Sequence, residues 1–122
     1  MFEFFKSDKK GNDEKGTQRI ELETDEQWAE VIEMSHEHAV YIFKHSSNCG
    51  ISSMVLRRFE KQLKERNESY FYVHIQRSRD LSNWIAQQLG IRHESPQLIV
   101  LKKGKVSIHS SHYALLEILP DL

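Results

Sequence analysis

A single cysteine, Cys49, among 122 residues excludes any intramolecular disulfide, and with it the disulfide-stapled classes of small secreted domain. No apolar run approaches the roughly 20 residues that a membrane-crossing helix needs. The opening MFEFFKSDKK turns to charge within a few positions, so the long apolar core of a signal peptide is missing and the expected compartment is the cytoplasm. An excess of charge is missing too. Seventeen basic and 18 acidic residues give a net charge of −1, and no general nucleic-acid footprint. The local basic clusters, Arg57, Arg58 and Lys61, then Lys102, Lys103 and Lys105, read as solvated faces. Internal repeats and long low-complexity tracts are absent. What is present is a soluble globular balance, 39% hydrophobic and 29% charged, at a length that suits one domain with one core.

Residues 1–17 read as a mobile lead-in, polar and glycine-containing from Lys6 onward, with Phe2, Phe4 and Phe5 as candidates for docking on the body. A domain over residues 18–122 follows. Gln18 to Glu23 alternates, with Ile20 and Leu22 on one side, and predicts a short strand. Thr24 and Gln27 fit a capping box, and Trp28, Val31 and Ile32 share a helical face that extends to about Ser35. His38 to Lys44 is apolar without alternation, the pattern of a strand buried on both faces. A helix is expected from Ser52 to about Arg66, on Val55, Phe59 and Leu63 at spacing four. Tyr70 to Ile75 is a second buried strand. Leu81, Trp84, Ile85 and Leu89 then mark a helix capped by Gly90. Gln97 to Leu101 and Lys105 to His109 form a hairpin about Lys103-Gly104, with Val106 and Ile108 placed on one face. A short helix from Tyr113 to Leu119 closes the chain. The order β-α-β-α-β-α-β-β-α implies an α/β fold, a central mixed β-sheet flanked by helices on both faces.

Ligands of open α/β sheets bind beyond the carboxyl ends of parallel strands, and Cys49 lies in the connection leaving such a strand. Free N–H groups and the positive end of the following helix favour a thiolate there, and so a reactive cysteine. The plainer reading is a small, inert core residue, which the polar flanks Ser46, Ser47 and Asn48 disfavour. Lys44 and His45 are candidate sources of nearby positive charge. Ser52 is at helical reach for a hydroxyl hydrogen bond to the sulfur, so Cys49-Gly50-Ile51-Ser52 keeps the first position of a dithiol site and replaces the second sulfur by a hydroxyl. Ser95-Pro96 precedes a strand, one β-α unit after the cysteine, and is a candidate cis peptide bond. This order resembles the thioredoxin fold, where a cis-proline loop faces the active cysteine.

The segments FKHSSNCGISS, HESPQLIVLKKGKV and HSSHYAL together resemble the YtxJ-like family of general stress proteins, the monothiol bacilliredoxins, over roughly residues 18 to 120. The resemblance implies a thioredoxin-like fold, a cytoplasmic location, and thiol–disulfide exchange that removes bacillithiol from S-bacillithiolated proteins. Cys49 takes the place of the attacking cysteine, with Ser52 beside it, and Pro96 that of the cis-proline. Asn48, Gly50 and Ser95 fall with Pro96 on the substrate-binding side. Bacillithiol is then a co-substrate, with no cofactor bound and no metal. The implied partners are bacillithiolated proteins, and a second bacillithiol or a reductase that resets the cysteine. Nucleic acid and membrane are not implied, and a monomer is expected. The family's usual motif is Thr-Cys-Pro-Ile-Ser, and this chain has Gly50 in place of that proline.

Two other classes compete. Cys-Gly-Ile-Ser is one residue from the Cys-Gly-Phe-Ser of monothiol glutaredoxins, which hold an iron–sulfur cluster, but the downstream Gly-Gly-x-Asp of that group is missing. The other is a thioredoxin-fold binding module without catalysis. The seven histidines lie in separate elements without a zinc-binding arrangement, and no G-x-S-x-G elbow marks a hydrolase.

Overall fold

The computed structural model describes residues 17–122. The expected lead-in and the docking of Phe2, Phe4 and Phe5 lie outside the described residues, apart from Thr17. Five strands and four α-helices follow in order: β1 (Arg19–Glu21), α1 (Asp25–Met34), β2 (Val40–His45), α2 (Gly50–Arg66), β3 (Tyr70–His74), α3 (Arg79–Leu89), β4 (Gln97–Lys102), β5 (Lys105–Ser111) and α4 (Leu115–Ile118). Short 3-10 turns, His112–Ala114 and Leu119–Asp121, flank α4, so only the middle of the expected C-terminal helix is α-helical.

The sheet order is β1-β3-β2-β4-β5. β2 pairs parallel with β3 and antiparallel with β4, which makes it the middle strand of a mixed sheet. Its six residues are all buried, as an unalternating apolar run requires when both faces are covered. On one face Val40, Ile42, Phe71, Val73, Ile99 and Leu101 meet Trp28 and Val31 of α1 and Ile85 of α3. On the other, Tyr41, Phe43, Tyr70, Tyr72, Leu98 and Val100 meet Val55, Phe59 and Leu63 of α2, and Leu115. Phe59 anchors this second layer, stacked on Phe43 at 5.4 Å between ring centroids and edge-on to Tyr70 at 5.2 Å. Truncating such a ring costs about 3–5 kcal/mol.

Local chemistry sets the element ends. Thr24 Oγ1 accepts the Gln27 N–H at 3.1 Å and Gln27 Oε1 accepts the Thr24 N–H at 3.1 Å, a complete capping box that starts α1. α3 stops at Gly90, whose φ of 70° suits a residue without Cβ.

Two expectations are corrected. α2 begins at Gly50 rather than Ser52, so Cys49 is the N-cap residue itself. Val106 and Ile108 do not share a face: Val106 pairs with Leu101 and Ile108 with Val100, across a bulge that shifts the register between them. One extra residue in a bulged strand inverts the alternation. Val106 therefore packs on the α1–α3 layer, while Ile108 is an exposed apolar side chain opposite Val100.

Candidate active site

β2 ends at His45, and the three residues Ser46, Ser47 and Asn48 carry the chain to Cys49, the cap of α2. Cys49 takes an extended backbone, φ −121° and ψ 116°, the conformation of a helix N-cap. Its N–H donates to the Ser46 carbonyl at 3.3 Å, and its carbonyl accepts the Ser52 N–H at 3.1 Å. The thiol is free and partly exposed. Neither a side-chain cap nor an acidic residue stands in the first turn of this 17-residue helix, so no carboxylate neutralises its positive end. An anion on sulfur would meet favourable electrostatics there. Asn48 and Gly50, on either side, are exposed.

The Ser52 hydroxyl is fully buried and does not serve the sulfur as expected. Ser52 Oγ accepts the Ser46 N–H at 3.1 Å and lies 2.8 Å from His45 Nδ1. It joins the strand end, the loop and the first helical turn at one atom.

The two expected cations are also placed differently. Successive strand residues point to opposite faces. Lys44 therefore enters the α3 side, fully buried, where its Nζ donates to the Ser82 carbonyl at 3.0 Å. Burial pushes its ammonium down from the usual range to about 8. His45 enters the α2 side beside Tyr72 and His74. Burial first, then the charges of His74 and Arg19, hold its imidazole below the ordinary histidine value, so it is a neutral hydrogen-bonding group rather than a source of charge.

The Ser95-Pro96 peptide bond is cis. Gln97, immediately after it, pairs with Lys44 near the end of β2, so the proline loop stands at the same end of the sheet as the cysteine connection. His112, in the left-handed region at φ 54°, donates its N–H to the Pro96 carbonyl at 3.1 Å. The next residue, Tyr113, is 71% exposed. A polar layer backs the proline loop: Ser82 Oγ lies 2.9 Å from His93 Nε2, and Gln97 Nε2 donates to the Arg92 carbonyl at 2.9 Å. Sequence reasoning missed Gln76, a residue that reaches the cysteine loop from just beyond the end of β3. A polar residue closing an apolar strand carries no local signal of such a contact. Among the described residues no group of three or more His, Cys, Asp or Glu side chains could hold a metal ion, and no helix is long and apolar enough to cross a membrane.

These features define a thioredoxin-fold protein with one cysteine at the start of the helix after its central strand. A solved structure with a thioredoxin fold is 32% identical, covers 84% of this chain and 93% of its own, and has a TM-score of 0.72. Thioredoxin f from spinach chloroplast, in its short form, is 21% identical over 88% of this chain and 95% of that one, with a TM-score of 0.63. Thioredoxin from Trypanosoma brucei brucei is 16% identical over 84% and 86%, with a TM-score of 0.66. These two share the fold alone. The family model for monothiol bacilliredoxin BrxC matches residues 20–117, and the chain belongs to that family. Its function is thus of the thiol redox kind.

Proposed function

We propose that the chain is a monothiol oxidoreductase that removes bacillithiol from S-bacillithiolated proteins in the cytoplasm. The observation that carries this reading is a partly exposed, lone cysteine at the unneutralised start of α2 in a chain of the monothiol bacilliredoxin family. The Cys49 thiolate attacks the bacillithiol sulfur of the mixed disulfide. A bond forms between these two sulfurs as the original disulfide breaks, and the protein thiolate leaves and takes a proton from water. Cys49 then carries bacillithiol. With no second cysteine in the chain, a second bacillithiol thiolate attacks that adduct, returning Cys49 and releasing oxidised bacillithiol; a partner reductase is the other route. Neither metal nor nucleotide enters the exchange. Asn48, Gly50 and Ser95 form the surface that the incoming disulfide meets, with Pro96 buried beside Ser95.

Mass spectrometry of a bacillithiolated substrate protein mixed with the chain tests this. The parent should gain the bacillithiol mass on Cys49 as the substrate loses it, and Cys49→Ala should leave the substrate modified. Equal loss of the modification with both proteins would sink the reading.

A further inference from the structure

The chain leaving β3 runs beside the chain leaving β2, because the Ile75 N–H donates to the His45 carbonyl at 2.9 Å. The next residue, Gln76, turns its side chain onto the cysteine loop. Its Oε1 accepts the Ser47 N–H at 3.1 Å and the Ser47 hydroxyl at 3.2 Å, while its Nε2 donates to Ser46 Oγ at 3.0 Å. The orientation of the amide follows from this set, since a backbone N–H only donates and the oxygen must face it. Ser46 is tied at its backbone as well, through its N–H to Ser52 Oγ and through its carbonyl to the Cys49 N–H. An unbroken hydrogen-bonded path therefore leads from Gln76 through Ser46 to Cys49.

Gln76 is exposed, so water competes for each of these bonds and their net contribution to global stability is small. What three bonds from one side chain do fix is the conformation of a short loop. We propose that Gln76 is a positioning residue for thiol exchange, its amide holding Ser46 and Ser47 so that Cys49 keeps its place at the start of α2. The inference rests on Cys49 as the reacting thiol. Without the amide the loop samples other conformations, and the sulfur loses part of its alignment with the helix end.

Alkylation of Cys49 by iodoacetamide, followed against pH, tests the proposal and requires no bacillithiol. Gln76→Ala is expected to alkylate roughly two- to fivefold more slowly near neutral pH, the size of a helix-end effect on an anion. Its pH midpoint should move up relative to the parent while its thermal midpoint stays with that of Arg77→Ala, an exposed neighbour. Gln76→Glu keeps an acceptor for the Ser47 N–H but adds a negative charge beside the loop, and should move the midpoint up as well. A Gln76→Ala midpoint that coincides with the parent's would overturn the proposal, as would a loss of thermal stability without any midpoint shift. A parent that alkylates normally but leaves bacillithiolated protein untouched would instead tell against the proposed function.

Discussion

His45 Nδ1 lies 2.8 Å from Ser52 Oγ, and the same oxygen accepts the Ser46 N–H at 3.1 Å. The serine of the C-x-x-S motif thus holds the loop to the strand end. Ser52→Ala leaves a buried N–H and a buried imidazole nitrogen without their partner. The expected cost is about 1–3 kcal/mol, read as a lower urea midpoint with an unchanged slope. A variant as stable as the parent would show that the junction is held by something else.

The histidines add an acid-side dependence. Burial is the first cause that holds both His45 and His93 below the ordinary value, with the charges of His74 and Arg19 adding to it for His45, and Lys44 and Arg79 for His93. An unfolded imidazole takes its proton near 6.5, and these folded ones take theirs at lower pH. Between those values the unfolded state binds more protons, so stability that is complete above 6.5 falls as pH drops through the folded values. Urea midpoints between about pH 7 and pH 5 should decline less steeply for His45→Asn, which keeps a short polar side chain without a titrating ring. Parallel declines would remove His45 from the account.

Lys44 works in the alkaline range. Burial lowers its ammonium from 10.5 to about 8, so between these values the unfolded state binds the extra proton and stability climbs with pH. Below that window the penalty for a charged core lysine is present in full. Lys44→Met keeps the length of the side chain without the charge. It is expected to raise stability near neutral pH by about 1–3 kcal/mol, and to flatten the parent's rise across the alkaline window. A less stable Lys44→Met would mean that the bond to the Ser82 carbonyl outweighs desolvation.

The fold was legible where the signal is local. The Thr24–Gln27 box, the αL cap at Gly90 and the unalternating run of β2 each depend on a few neighbouring residues, and each forms as read. The bulge that separates Val106 from Ile108 leaves no such mark, because the sequence alternates through it. At the site, Cys49 and Pro96 stand out by residue type. Lys44 and His45 are adjacent in sequence as candidate charges near the thiol, but the period of a strand sends adjacent residues to opposite layers and burial removes the charge from the second. Gln76 could not be read at all, since its partners Ser46 and Ser47 lie some 30 positions away and meet it only once β2 and β3 pair.

Gly50 is the position where this chain departs from the proline of the motif it resembles, and the backbone around it is already suited to proline. Cys49, at φ −121° and ψ 116°, occupies the extended region that a residue before proline prefers. Gly50 is the first residue of α2, where an N–H has no helical acceptor and proline is favoured. A Cβ added there meets no atom within 4 Å. Gly50→Pro should therefore stabilise the fold by about 0.4–1 kcal/mol, mainly by narrowing the unfolded ensemble, and raise the thermal midpoint by a few degrees. Removing the N–H next to the sulfur also removes a donor for the thiolate, so alkylation of Cys49 should gain nothing from the added rigidity. A fall in thermal midpoint would show instead that the Gly50 N–H is engaged in holding the cysteine, and that glycine is retained here for its backbone donor.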